Sequence, residues 1–181
     1  MKITKTALEG VVIIEPRVFV DTRGYFFESF SHKEFSQKVL DTRFVQDNES
    51  LSSYGVLRGL HFQKHPYAQA KLVRVVKGVI LDVAVDIRKQ SPTFGKYISI
   101  ELSGENKRQL FIPRGFAHGL IVLSDSAIVN YKCDNHYYPE SEGSILWNDP
   151  QLNIDWKLPI NDIILSEKDK ESPLLKDIVG F

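Results

Sequence analysis

The chain reads as an all-β protein: a sandwich or barrel of short strands with a few short helices, folded as one domain over residues 1–181. Three observations predict this. Apolar and polar residues alternate with period two in several short runs. Turn-forming residues separate those runs at the spacing of a sandwich or barrel. The 181 residues, 43% hydrophobic and 25% charged, have an ordinary globular balance and enough length to bury a substantial core.

The elements follow in chain order. Residues 1–10 lack the apolar centre of a secretion signal, and the run Val11–Ile14 is far too short to span a bilayer. Ser31, with Glu34 three residues on, has the form of a capping box ahead of Phe35 and Leu40 and predicts one early helix. Lys71–Val76 alternates, with Lys71 on the face of Val73 and Val75. Val79–Ile87 puts Leu81, Val83, Val85 and Ile87 on one face and Ile80, Asp82, Ala84 and Asp86 on the other. Ile98–Leu102, Gln109–Ile112, Leu120–Leu123 and Ala127–Lys132 continue the series. Lys77-Gly78, Ser91-Pro92, Ser103-Gly104, Pro113–Gly115 and Ser124-Asp125 supply the turns. The charged tail predicts a short C-terminal helix within about residues 166–181.

Charge narrows the class of partner. Lys plus Arg equals 23 and Asp plus Glu equals 23, so the net charge is zero. A neutral chain has no general electrostatic reason to bind nucleic acid or an anionic membrane. The one cysteine, Cys133, cannot form an intrachain disulfide. The expectation is a cytoplasmic protein, and the charge balance leaves room for a local basic pocket for one anionic ligand.

The chemistry concentrates in two stretches. Gly55-Val-Leu-Arg-Gly-Leu-His61-Phe-Gln63 followed by Lys71 and Gly78 overlays the first motif of the cupins, and Pro113-Arg-Gly-Phe-Ala-His118 overlays their second. Metal-binding cupins carry a further His and a Glu in the first motif; here those positions fall to Gln63 and, at or near it, Lys71. An ammonium where a carboxylate ligand should be opposes a dication, so no metal and no cofactor are expected. His61 is suited to general-base work, Lys71 to holding an oxyanion and Tyr131 to giving a proton. That set fits proton abstraction α to a ketone, where the substrate carbonyl is the electron sink. The plainer readings are a hydrogen-bonded structural His and a core aromatic at Tyr131. An inward Lys is costly to bury unless paired or functional. His32, His65 and His136 lack such context and read as surface residues.

At this point the chain resembles the dTDP-4-dehydrorhamnose 3,5-epimerases, cupins of nucleotide-sugar biosynthesis with a jelly-roll barrel. The resemblance runs through Asp21–Phe30, Phe44–Asn48, Gly55–Gln63, Ala68–Val73, Asp82–Asp86, Ser91–Gly95, Ile112–Gly119, Tyr131-Lys132, Trp147–Pro150 and Leu165–Asp169. It implies that His61 removes the C5 and C3 protons, that Asp169 orients His61, that Tyr131 returns the proton on the opposite face and that Lys71 holds the enolate. It implies that His118 sits beside the sugar and that Tyr137 stacks on thymine. Arg23, Glu28, Gln46, Asn48, Arg58, Glu142 and Lys168 would bind the nucleotide and diphosphate. The implied substrate is dTDP-4-dehydro-6-deoxy-D-glucose. The implied assembly is a homodimer with N-terminal strands, within residues 1–30, at the interface.

Several alternatives stay open. The sequence admits a monofunctional 3- or 5-epimerase, a non-catalytic nucleotide-sugar binder that kept the pocket, and a metal cupin. In an ideal strand Arg58 and His61 point to opposite faces, so either a bulge near Gly59 redirects one or Arg58 serves from the edge. Tyr137 and Tyr138 are adjacent; the family spacing from Tyr131 that the resemblance implies favours Tyr137 as the stacking ring.

Overall fold

A computed structural model describes residues 1–178. The chain forms β1 (Lys2–Lys5), β2 (Val12–Glu15), β3 (Val18–Asp21), β4 (Gly24–Phe27), α1 (His32–Lys38), β5 (Gln46–Ser53) and β6 (Leu57–Gln63). It continues with β7 (Lys71–Lys77), β8 (Val79–Asp86), β9 (Tyr97–Ser103), β10 (Gln109–Ile112), β11 (Phe116–Val122), β12 (Ser126–Cys133), β13 (Glu142–Ser144) and α2 (Glu167–Lys170). Strands run in two facing antiparallel sheets, ordered β1-β2-β10-β7-β12-β5 and β13-β6-β11-β8-β9. This is the barrel of short strands that the alternation predicts, in the cupin-type arrangement that the resemblance implies. Among the described residues, the hairpin β3–β4 forms a two-stranded sheet of its own.

The period-two pattern explains the layers. Between the sheets, Val73, Val75, Leu110, Ile112 and Val129 of one meet Ile80, Ala84, Leu102, Leu120 and Val122 of the other. The opposite face of β8, with Leu81, Val83 and Val85, packs with Ile87 under the C-terminal third of the chain, through Ile145, Leu152, Trp156 and Leu175. α1 covers the outside of the larger sheet, where Phe35 packs with Ile14, Leu72 and Phe111. Burying one such side chain contributes roughly 1.5–3 kcal/mol, so these three cores fix the frame of the barrel.

The loop from β8 to β9 closes around Asp86, which is fully buried. Arg88 donates to both its carboxylate oxygens, at 2.9 and 2.7 Å, and Ser91 and Thr93 hydroxyls donate at 2.6 and 2.7 Å. Burial alone would raise this carboxyl, but these donors hold it at about 2.

Three details refine these expectations. The early helix stops at Lys38, so Leu40 lies beyond it and is exposed. Its capping box is half formed: Ser31 Oγ accepts from the Glu34 N–H at 3.4 Å, while the Glu34 carboxylate pairs with Lys38 instead. The C-terminal tail is one helical turn, α2, followed by a separate 3₁₀ turn at Leu175–Asp177. Pro173 between them has no N–H to continue a helix. Residues 179–181 of the expected tail lie outside the described residues.

Candidate active site

The site begins with a bulge. Antiparallel partners share a face, and β11 pairs His118 with His61 but Leu120 with Arg58. Two steps along β11 therefore match three along β6. The extra residue lies in Gly59-Leu60, and it turns Arg58 and His61 to the same face. Gly59 adopts φ +128°, a region that L side chains rarely visit, and a Cβ there would lie 2.5 Å from Gly119 Cα. Of the two ways to reconcile Arg58 with His61, the chain uses the bulge.

That face opens into a cavity of about 450 Å³ between the sheets. Arg58, His61, Lys71, His118, Tyr131, Lys168 and Asp169 all line it. A smaller cavity of about 110 Å³ shares His61, Lys71 and Tyr131 and adds Gln46, Asn48, Tyr137 and Glu142. His61 stands on the smaller sheet and Tyr131 on the larger, so the two face each other from opposite walls. Lys71 Nζ lies 5.8 Å from the Tyr131 ring centroid.

Asp169 reaches His61 from 108 residues downstream. The chain around Ile164 runs beside the start of β6: Ile164 N–H donates to the Gly55 carbonyl at 2.8 Å, and Leu57 N–H to the Ile164 carbonyl at 2.9 Å. Ser166 then caps α2, accepting from the Asp169 N–H at 3.1 Å. Asp169 Oδ1 lies 2.5 Å from His61 Nε2, and the Ser166 hydroxyl donates to Oδ2 at 2.9 Å. Burial pushes Asp169 up, but the His61, Ser166 and Gly59 donors together hold it below the ordinary carboxylate range. An ionised Asp169 fixes the hydrogen on Nε2 and leaves the lone pair on Nδ1.

Burial also sets the other charges. Desolvation lowers Lys71, which no carboxylate contacts directly enough to offset it. Burial raises Tyr131, so its phenol stays protonated at neutral pH. Lys168 pairs with Glu142 at 2.6 Å, and Tyr137 Oη donates to the same carboxylate at 2.9 Å. The Lys168 partnership raises the Lys168 ammonium, and Glu142 stays ionised against its burial. Tyr138 stacks on Tyr67 with centroids 3.7 Å apart, whereas Tyr137 lines the smaller cavity.

Two expected residues lie elsewhere. Arg23 sits at the tip of the β3–β4 hairpin, paired with Asp21 at 2.5 Å, and Glu28 lines a separate cavity beside α1. Neither touches the site of its own chain. Conversely, sequence reasoning assigned no role to Asp82, whose Oδ1 lies 2.6 Å from His118 Nε2. Asp82 is fully buried and its Oδ2 has no hydrogen-bond partner among the described residues. A carboxylate alternating with Ile80 and Ala84 was the signal. Ser166 was likewise missed. Among the described residues, no group of three or more His, Cys, Asp or Glu converges as a metal site would require. His32, His65 and His136 are exposed, as expected.

The chain and its fold match known proteins. The family model for dTDP-4-dehydrorhamnose 3,5-epimerase matches residues 5–177. The enzyme of that name from Methanothermobacter thermautotrophicus is 54% identical over 96% of this chain and 94% of its own length. The crystal structure of the Elizabethkingia anophelis enzyme superposes with a TM-score of 0.94 at 58% identity, covering 98% of this chain and 97% of that one. The Legionella pneumophila epimerase in complex with dTDP-4-keto-L-rhamnose gives a TM-score of 0.95 at 51% identity, covering 98% and 94%. With the match spanning nearly the whole chain, the protein belongs to the dTDP-4-dehydrorhamnose 3,5-epimerase family.

Proposed function

We propose that this cavity performs both epimerisations through four residues of its own chain. The protein is a carbohydrate epimerase of dTDP-rhamnose biosynthesis. It converts dTDP-4-dehydro-6-deoxy-D-glucose to dTDP-4-dehydro-β-L-rhamnose. In our reading, His61 Nδ1 takes the proton from C5. The C–H electron pair moves into the C4 carbonyl, making an enolate whose oxygen bears the charge. The Lys71 ammonium, poorly solvated, stabilises that oxygen more than water would. Tyr131 then protonates the carbon from the other side. His61 then releases its proton to solvent and Tyr131 regains one, and the same sequence at C3 completes the reaction, with no net change in protons and no electrons leaving the substrate.

The observation that carries this reading is the placement of His61 and Tyr131 on opposite sheets across one cavity. Inversion requires removal of a proton from one face and its return to the other, and two walls supply both. His118 borders the sugar. Arg58 offers the diphosphate a guanidinium, Gln46 and Asn48 line the nucleotide end, and Glu142 and Lys168 close it. Tyr137 is the ring that stacks on the base, since Tyr138 is already engaged with Tyr67. Folded His61→Ala and Tyr131→Phe proteins are expected to lose turnover. Parental turnover in either would overturn the assignment.

We propose further that the active form is a homodimer, in which Arg23 and Glu28 serve the partner's cavity. Phe19, Val20, Tyr25 and Phe26 of the hairpin are 49%, 78%, 58% and 70% exposed, an apolar surface in need of cover. Mixing Arg23→Ala with His61→Ala protein tests this. A heterodimer has one site with both defects and one with neither, so activity should reappear; mixtures as inactive as their parts would refute it. Among the described residues no helix is long and apolar enough to cross a membrane. The buried, unpaired Cys133 suits a reducing compartment, and we place the protein in the cytoplasm.

A further inference from the structure

Gln63 occupies the first-motif position where metal cupins carry a histidine, two residues along β6 from His61. It is 5% exposed and bonded on both sides of its amide. Nε2 donates to the Tyr67 carbonyl at 2.6 Å and to the His136 carbonyl at 3.1 Å. Oε1 accepts from the Tyr138 N–H at 2.7 Å. Two carbonyls and one N–H converge on it, and only a carboxamide offers two donors and an acceptor from one planar group. These bonds also settle which way the amide points.

The two residues that Gln63 holds near β12 and β13 are the neighbours of Tyr137 on either side. Tyr137 itself is 52% exposed, so packing does not fix it. Its N–H donates to Gln46 Oε1 at 3.2 Å and its hydroxyl to Glu142 Oε2 at 2.9 Å. Glu142 is in turn the register partner of Gln63 across β13 and β6. Gln63 is thus the buried anchor of an exposed segment, set on the same strand as the base His61. We infer that Gln63 is a positioning residue for nucleotide recognition. It holds segment 136–138 against β6 so that the Tyr137 ring meets the nucleobase at a fixed distance from His61. This inference rests on the reading of Tyr137 as the stacking residue.

The test uses full-length Gln63→Met, which keeps volume and removes all three bonds. dTDP affinity is measured by calorimetry, and kcat and KM with the dTDP-4-keto sugar. The expected result is a Kd for dTDP and a KM each raised ~10-fold, the scale of one lost base stack, with kcat within ~2-fold. A merely structural residue would lower kcat with KM or leave both alone, and either outcome would overturn the inference. Tyr137→Ala should raise the dTDP Kd ~10-fold or more. If Gln63 acts through Tyr137, adding Gln63→Met to Tyr137→Ala costs nothing further; additive losses would overturn the inference. If Tyr137→Ala alone leaves dTDP binding unchanged, the stacking reading has failed and the inference falls with it. Should Gln63→Met not fold, Gln63→Asn keeps the amide but falls one methylene short. It is then expected to weaken dTDP binding with kcat retained, and unchanged binding would overturn the inference.

Discussion

Asp169→Asn removes one charge from the centre of the site and changes almost no volume. Asp169 is 4% exposed and holds His61 Nε2 at 2.5 Å, with Ser166 on its other oxygen. Two losses add. The first is the charge-assisted bond that stabilises the imidazolium formed on proton abstraction, worth roughly 1.5–3 kcal/mol, or about 10- to 100-fold in rate. The second is orientation. An Asn amide nitrogen turned toward His61 would donate to Nε2, move the ring hydrogen to Nδ1 and remove the lone pair that faces the substrate. In a serine-protease triad the equivalent change costs about 10⁴-fold. We expect kcat to fall about 10³-fold, between these bounds, with KM and the Kd for dTDP within about 2-fold. Steady-state kinetics and calorimetry read these directly, and a melting curve confirms the fold. A folded Asp169→Asn protein with kcat within about 3-fold of the parent would refute the dyad.

Three further outcomes follow from the same structure. Burial lowers Lys71 and raises Tyr131, so the charge on Lys71 is lost first as pH rises; the alkaline limb of kcat/KM should lie below the ordinary lysine value of about 10.4 and move up in the residual activity of Lys71→Met. Asp86, held at about 2 against an ordinary 3.8, contributes stability that is fully present above the unfolded value and lost as pH falls through the folded one; Asp86→Asn should cost about 2 kcal/mol in urea melts at pH 7, and the deficit should shrink toward pH 2. His118→Ala should leave Asp82 buried with neither oxygen bonded and cost several kcal/mol in the same assay, whereas Asp82→Asn with His118 intact should cost less, because an amide needs no counter-charge.

Local rules carried most of the fold. Alternation in Val79–Ile87 assigned both faces of β8 correctly because one packs between the sheets and the other under the C-terminal third of the chain. Gln109–Ile112 is β10 to the residue. The charge pattern of the tail suits the short helix α2, while the path of the tail is set by long-range bonds from Gly55 and from Asp149, whose Oδ2 accepts the Leu175 N–H at 2.7 Å. Such partners are invisible in a local window. The site divides in the same way. His61, Lys71 and His118 were legible from motif spacing and strand face, and Tyr131 was singled out by the chemistry of its phenol. Asp169 and the residues proposed to bind the nucleotide came only through the family resemblance, since no periodicity links residues 61 and 169. Arg58 defied strand parity because a bulge, not alternation, aims it. Asp82 was visible as a charge in an apolar strand, but its partner His118 lies on the neighbouring strand, and only sheet register brings them together.

The central claim is that one cavity exchanges protons at two carbons flanking a ketone. The most direct measurement is NMR of dTDP-4-dehydro-6-deoxyglucose incubated with the protein in D₂O. The account predicts deuterium at both C3 and C5, with both centres inverted in the product. Deuterium at one carbon alone would make the protein a monofunctional epimerase and contradict the double reaction. No exchange at either carbon, in folded protein that still binds dTDP, would contradict catalysis by His61 and Tyr131 altogether.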